Sequence, residues 1–155
     1  MARKAYEYAL DLLSARGYTT RNLRRKLIQK ELAPAEIESA VNRLIDAGLL
    51  DDAKYAREFA RQKLTTGGSS VRRVQRALVV KGIPSELARD AIDAVMEEEE
   101  VDIEHSIESA ARKKVASMGD LPIEVKRRRL FAFLARRGFE IDDIRRSINE
   151  NVKSE

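Results

Sequence analysis

A chain of 155 residues is long enough for one ordinary domain or for several small units in a row. Hydrophobic residues make up 43%, but aromatics are only 5% and tryptophan is absent, which disfavours one thick core and suits several small ones built from Leu, Ile, Val and Ala. Charged residues reach 36% around a net charge of only +4, and the lack of cysteine excludes disulfides, thiolate nucleophiles and cysteine-based zinc sites.

Taken in order, the segments read as helix after helix. Apolar residues recur every three or four positions, and no run alternates as a half-buried strand would. The first opening helix is predicted over residues 4–16, with Thr19 and Thr20 as a polar turn and Thr20 as the N-cap of a middle helix. Leu23, Leu27 and Leu32 follow, spaced by four and five. Pro34 then starts a closing helix that carries Ile37, Val41 and Leu44.

The pattern then repeats. A second opening helix is predicted over 52–65, a turn over Gly67–Ser70 with Ser70 as N-cap, a middle helix with Val74, Leu78 and Ile83, and a closing helix after Pro84 with Leu87, Ile92 and Val95. A third opening helix is predicted over 102–117, a turn over Gly119–Pro122 with Asp120 as N-cap, a middle helix with Leu130, Leu134 and Phe139, and a closing helix with Ile144 and Ile148. The four-then-five spacing occurs three times. Its last step carries the chain through a turn, where Gly82 and Gly138 suit a left-handed C-cap. Glu31 holds the corresponding place in the first copy, which predicts a different helix end there. The expected architecture is all-α: three tandem three-helix (helix-turn-helix-like) repeats over 1–50, 51–97 and 98–155, forming an elongated, curved array.

The functional signal is where acids are missing. No Asp or Glu lies between Asp11 and Glu31, between Glu58 and Glu86, or between Glu124 and Glu140, although the chain holds 26 acids. Each of these windows contains six basic residues and the middle helix of its repeat. The windows include Arg24 and Arg25; Arg61, Lys63, Arg72, Arg73, Arg76 and Lys81; and Arg127, Arg128, Arg129, Arg136 and Arg137. Arg57, one turn before Arg61, joins the same candidate surface. At 100° per residue, Arg72, Arg73 and Arg76 fall within about 100° of arc, roughly opposite Val71, Val74 and Leu78. Arg127 and Arg128 are expected to form an equivalent cluster. Such stripes suit phosphates or an acidic protein surface, and guanidinium forks can bridge two oxygens at once. No aromatic is interleaved with the basic residues, so base reading is not expected, and Tyr18 and Phe139 are assigned to the core.

Other chemistries find little support. His105 is the only histidine and is assigned to a helix surface, so neither a metal site nor a histidine-based triad is expected. No nucleotide-binding glycine motif occurs, and no cofactor is expected. Asp51-Asp52 and Asp142-Asp143 read as helix-start acids. The run Glu97–Glu100 is expected to stay out of the core. With no stretch approaching 18 apolar residues and no apolar segment after the N-terminal Arg3-Lys4, neither membrane spanning nor secretion is expected.

Leu49-Leu50-Asp51-Asp52-Ala53-Lys54-Tyr55-Ala56-Arg57-Glu58-Phe59 resembles the signature of the RecX family: an apolar residue, two acids, two variable positions, an aromatic, then Ala. The segment from Val74 through Leu78 to Lys81-Gly82-Ile83 is similar to the family's next block. The motif residues are Asp51, Asp52, Tyr55, Ala56, Phe59 and Gly82. Two positions depart from the pattern: Ser70 and Glu31 stand where the family often has Gly. The resemblance implies a cytoplasmic, monomeric, non-enzymatic regulator of RecA, usually an inhibitor. Such a regulator lies in the groove of the RecA–single-stranded-DNA filament and damps its ATPase, homologous recombination and SOS coprotease functions in DNA repair. The alternative is a helix-turn-helix array that binds DNA directly, duplex included, through phosphates and acts as an architectural protein.

Overall fold

The computed structural model describes residues 2–66, 68–99 and 103–153, and among these every regular element is a helix. The first unit comprises α1 (Ala2–Ala15), α2 (Thr20–Gln29) and α3 (Pro34–Asp46). The second comprises α4 (Asp52–Arg61), α5 (Val71–Val80) and α6 (Ser85–Glu98). The third comprises α7 (Ile103–Ala116), α8 (Ile123–Arg136) and α9 (Ile141–Asn151). Extended helix-to-helix packing is confined to helices of one unit.

Three separate cores follow from that arrangement. Leu23 and Leu27 pack with Ala9, Ile37, Val41 and Leu44. Val74, Leu78 and Ile83 pack with Ala56, Ala60, Ile92 and Val95. Leu130, Leu134 and Phe139 pack with Ala111, Ile144 and Ile148. The repeated four-and-five spacing is therefore the inner edge of each unit: two positions on the buried stripe of the middle helix and one just past its turn. Small Ala residues on the opening helices let the helices approach closely, which is why so few aromatics suffice. Tyr18 is half-buried against the first core and Phe139 is buried in the third, as expected.

Helix ends depart from the sequence expectations in instructive ways. The cap of α2 is Thr19, whose hydroxyl accepts the N–H of Asn22 at 3.2 Å; Thr20 is already helical. Ser70 caps α5 as expected, accepting the N–H of Arg73 at 3.2 Å. Asp120 does not cap α8; the chain enters that helix at Pro122 with no side-chain cap. The second opening helix ends at Arg61 and continues as one π-helical turn, Gln62–Thr66. Glu97, Glu98 and Glu99 are exposed. The side chain of His105 lies outside the described residues, as do Gly67 and Glu100.

The C-terminal turns of the middle helices are alike after all. Gly82 and Gly138 take φ of +97° and +85°, and Glu31 takes φ +58° at the matching place in the first unit. A different helix end was expected at Glu31; instead a side-chain-bearing residue is held in the left-handed region. That conformation costs a non-glycine residue roughly 1–2 kcal/mol, while glycine loses about 0.5–1 kcal/mol more chain entropy on folding. Glu31→Gly is accordingly expected to stabilise the first unit by up to about 1 kcal/mol. Urea unfolding followed by circular dichroism checks this, and a destabilised variant would contradict it.

Candidate nucleic-acid interface

The units are joined through their middle helices. The Thr19 hydroxyl that caps α2 also donates to the Lys81 carbonyl oxygen at the end of α5, at 2.6 Å. The Ser70 hydroxyl that caps α5 likewise donates to the Arg137 carbonyl oxygen at the end of α8, at 3.0 Å. Each hydroxyl thus uses both its faces, accepting from its own helix and donating to the next unit. A carbonyl left unpaired at one helix end and N–H groups left unpaired at another are satisfied together. The negative end of one helix dipole also meets the positive end of the next. Through these bonds α8, α5 and α2 form a series, running head to tail against the order of the chain.

Close backbone approach makes the series possible. An added Cβ on Gly82 would lie 2.6 Å from both Cβ and Cδ of Arg21, and one on Gly138 would lie 2.8 Å from Ser70 Oγ and 3.2 Å from Arg73 Cβ. Gly17 lies beneath the Tyr55 ring, 3.4 Å from where its Cβ would be. Asp52 completes the first joint by accepting from the Thr20 N–H at 2.8 Å and the Thr20 hydroxyl at 3.1 Å, while Asp51 accepts the Lys54 N–H and caps its own helix. The paired acids of the motif therefore do two different jobs. One starts α4, and the other holds the start of α2 in the preceding unit. Sequence reading assigned both to local capping and missed the second, because Thr20 and Asp52 are 32 residues apart.

These joints bring the three basic windows end to end. Arg21 packs against Gly82, beside Lys81, and Arg73 packs against Gly138, beside Arg137. On each middle helix the cations face away from the core. Arg25 lies on the arc opposite Leu23 and Leu27; Arg72, Arg73 and Arg76 lie opposite Val74 and Leu78; and Arg128, Arg129 and Arg136 lie opposite Leu130 and Leu134. All seven are exposed. Arg57 is exposed on α4, and Lys63 and Lys81 are half-buried.

Folding also brings acids that the windows lack in sequence. Arg24 makes a two-pronged contact to Glu38 at 2.9 and 3.1 Å. Arg61 reaches Glu98 at 3.0 Å and Glu99 at 2.8 Å, and Arg72 reaches Glu140 at 3.4 Å. All these partners are well exposed, a setting in which an ion pair contributes about 0–1 kcal/mol and can be exchanged for another anion. Arg127 differs from the cluster expected for it: it is half-buried and donates to the Val152 carbonyl oxygen at 2.8 Å and to Asn149 Oδ1 at 2.6 Å, tying α8 to the end of α9. Arg137 stacks over Phe133 at 4.8 Å from the ring centroid.

Aromatics meet the cations after all, contrary to the linear reading. Lys63 and Lys81 both lie over the Phe59 ring, at 5.7 and 5.5 Å from its centroid, and Tyr55 stacks on Phe59 with centroids 6.3 Å apart. Lys63 is one helical turn from Phe59, whereas Lys81 arrives from the far end of α5. Among the described residues no group of three or more His, Asp or Glu side chains could hold a metal ion, and no described helix is long and apolar enough to cross a membrane.

Comparison with known proteins agrees with this architecture. The profiles of the RecX first, second and third three-helix domains match residues 5–44, 51–92 and 102–148. The chain is 37% identical over 143 residues to a protein of Trichlorobacter lovleyi named "Regulatory protein RecX", covering 90% of each. It is 34% identical over 137 residues to one of Amycolatopsis mediterranei with the same name, covering 88% of this chain and 77% of the other. The crystal structure of RecX from Lactobacillus salivarius superposes with a TM-score of 0.75 at 25% identity, covering 96% of this chain and 95% of that one. With all three domains matched in order, joined by the Asp51-Asp52 motif and the glycines beneath each joint, the chain belongs to the RecX family of regulatory proteins.

Proposed function

We propose that this chain is a non-enzymatic, cytoplasmic regulator that binds the RecA filament on single-stranded DNA as a monomer and restrains it, lowering ATP hydrolysis, recombination and SOS coprotease activity. The observation that carries the reading is the end-to-end meeting of three basic windows along the series of middle helices. A row of exposed guanidinium groups on rigidly jointed units suits a helical groove walled by phosphates and acidic protein surface. Exposed ion pairs such as Arg72–Glu140 keep the surface soluble when free and are readily exchanged on binding.

The second reading, an architectural protein inserting its middle helices into duplex grooves, fits the joints less well. Helix-turn-helix proteins present the N-terminal residues of a recognition helix to base edges. Here the N-termini of α2 and α5 are tied to the carbonyl oxygens of Lys81 and Arg137 in the neighbouring unit.

The test is the rate of ATP hydrolysis by RecA on single-stranded DNA as this chain is added. A marked fall at fewer than one chain per RecA is expected. An unchanged rate at equimolar chain, or tight binding to bare duplex DNA with no preference for the RecA-coated strand, overturns the proposal.

A further inference from the structure

We infer that a cavity in the second unit is a seat for one nucleotide of a single strand, its phosphate held by Lys63, Arg73 and Lys81 and its flat apolar part set against Phe59. The cavity has a volume of about 290 Å³, and Ser69, Val74 and Ala77 complete its lining. The inference rests on the reading that this surface meets a DNA strand, and it names the point of contact.

Three separate features bring these groups together. Phe59 lies on α4, Lys63 on the π-helical turn that follows, Arg73 on the first turn of α5 and Lys81 at its end. The π-helical turn is a device that recurs at functional sites because it re-aims a side chain on an otherwise regular helix. Here it carries Lys63 at the lip of the cavity. The Ser69 N–H donates to the Lys63 carbonyl oxygen at 3.1 Å, fastening that turn to the start of α5.

The charge balance points to an anion. Among the described residues three cations and no acid line the cavity, and no carboxylate pairs with Lys63, Arg73 or Lys81. With two ammonium groups over one ring and a guanidinium in the same lining, the site carries a local positive charge that attracts an anion. The cavity of the third unit differs: Glu124 supplies an acid to its lining, and Arg127 is tied to Val152 and Asn149.

The shape favours a nucleotide over an acidic side chain. The volume is several times what a bare carboxylate fills, since a water molecule takes about 30 Å³ in the liquid. Phe59, Val74 and Ala77 give the lining an apolar part, and the two ammonium groups lie close to the same ring. An aromatic ring beside phosphate-binding cations is the arrangement that holds single strands without regard to sequence, because every base has a stacking face. The cavity also touches both joints, through Lys81 on one side and Arg73 on the other. A strand crossing it would pass along the series of middle helices.

Fluorescence anisotropy of a labelled oligothymidylate, titrated with the full chain at several salt concentrations, tests the inference. Three proteins are compared with wild type: Lys63→Gln with Lys81→Gln, Phe59→Leu, and, as a charge-matched control at exposed positions outside the basic windows, Arg89→Gln with Lys113→Gln. The lysine pair is expected to lose at least tenfold in affinity, with the salt slope falling by up to about 0.7, the value of one phosphate contact on a single strand. Phe59→Leu is expected to lose roughly tenfold with an unchanged slope, since stacking carries no charge. If Phe59→Leu unfolds, judged by its melting curve, the lysine pair decides alone. Undetectable binding of the oligothymidylate by wild type, or losses in the lysine pair no larger than in the control, overturns the inference. So does a lysine pair that binds the oligothymidylate normally yet no longer affects RecA, which assigns the seat to an acidic protein group. Should wild type bind the strand through this cavity yet leave RecA untouched, the regulator reading fails and the nucleotide seat stands.

Discussion

Converting Arg72, Arg73 and Arg76 together to glutamate is expected to raise the concentration of chain needed to restrain RecA on the order of 100-fold or more. The three guanidinium groups share one exposed arc of α5, the middle member of the helix series, so the change inverts the sign of the surface at its centre. The helix itself should survive. Positions 72 and 73 lie in the first turn of α5, where acids are favoured by the helix dipole. A glutamate at 73 keeps the Cβ that packs against Gly138. Against this, a glutamate at 72 would face Glu140 in place of the present ion pair, a cost of a few tenths of a kcal/mol at an exposed site. Circular dichroism should therefore match wild type while the ATPase effect is lost. A variant that restrains RecA as well as wild type would remove the basic surface from the mechanism.

The second large effect is expected at the joints. Gly82→Ala should lower stability by about 2–4 kcal/mol, combining a left-handed backbone penalty with overlap against the Arg21 stem. Gly138→Ala should behave similarly, because its Cβ would press on the Ser70 hydroxyl that bonds both α5 and α8. Gly48 and Gly119 supply the comparison. They also have positive φ, +70° and +57°, but a Cβ there would meet nothing within 4 Å. Alanine at those positions should cost no more than about 1 kcal/mol, the left-handed penalty less the chain entropy that glycine loses on folding. The difference between the two pairs, read by urea unfolding, isolates the contact between units. Equal losses at Gly82 and Gly48 would mean that the joint contributes nothing.

The same contrast accounts for Glu31. The position equivalent to Gly82 and Gly138 bears a side chain where both Lys30 and Glu31 are exposed, so the close approach that demands glycine elsewhere is not required there.

What could be read from the sequence was whatever repeats locally. The spacing of Leu23, Leu27 and Leu32, and of its two counterparts, marks the buried stripe and turn of each middle helix, because helical geometry forces that period on any residue facing a core. Ser70 as a cap was legible for the same reason. The joints were not, because their partners lie 62 and 67 residues apart and consist of a hydroxyl meeting a backbone carbonyl, which no side-chain pattern announces. Thr19 and Thr20 are chemically equivalent in sequence; only the Lys81 carbonyl and the Asp52 carboxylate tell them apart.

The candidate site shows the same boundary. Windows free of acid along the chain are not free of it in space: Glu38, Glu98, Glu99 and Glu140 fold back onto Arg24, Arg61 and Arg72 from closing helices or the residues that cap them. Counting charges in order marks windows along the chain but cannot say which cations remain without a carboxylate. Phe59 was recognised only as a motif aromatic; its place between Lys63 and Lys81 depends on α5 crossing back over α4.

The direction of the helix series has a consequence during synthesis. Each unit has a core of its own and can collapse as it leaves the ribosome, yet the Thr19 hydroxyl waits for a carbonyl 62 residues downstream. At about 5–20 residues per second that is an interval of roughly 3–12 s. The nascent molecule therefore passes through a stage of folded but unaligned beads. Their mutual orientation is the last thing the chain acquires, and a truncated product would keep its helices while losing its alignment.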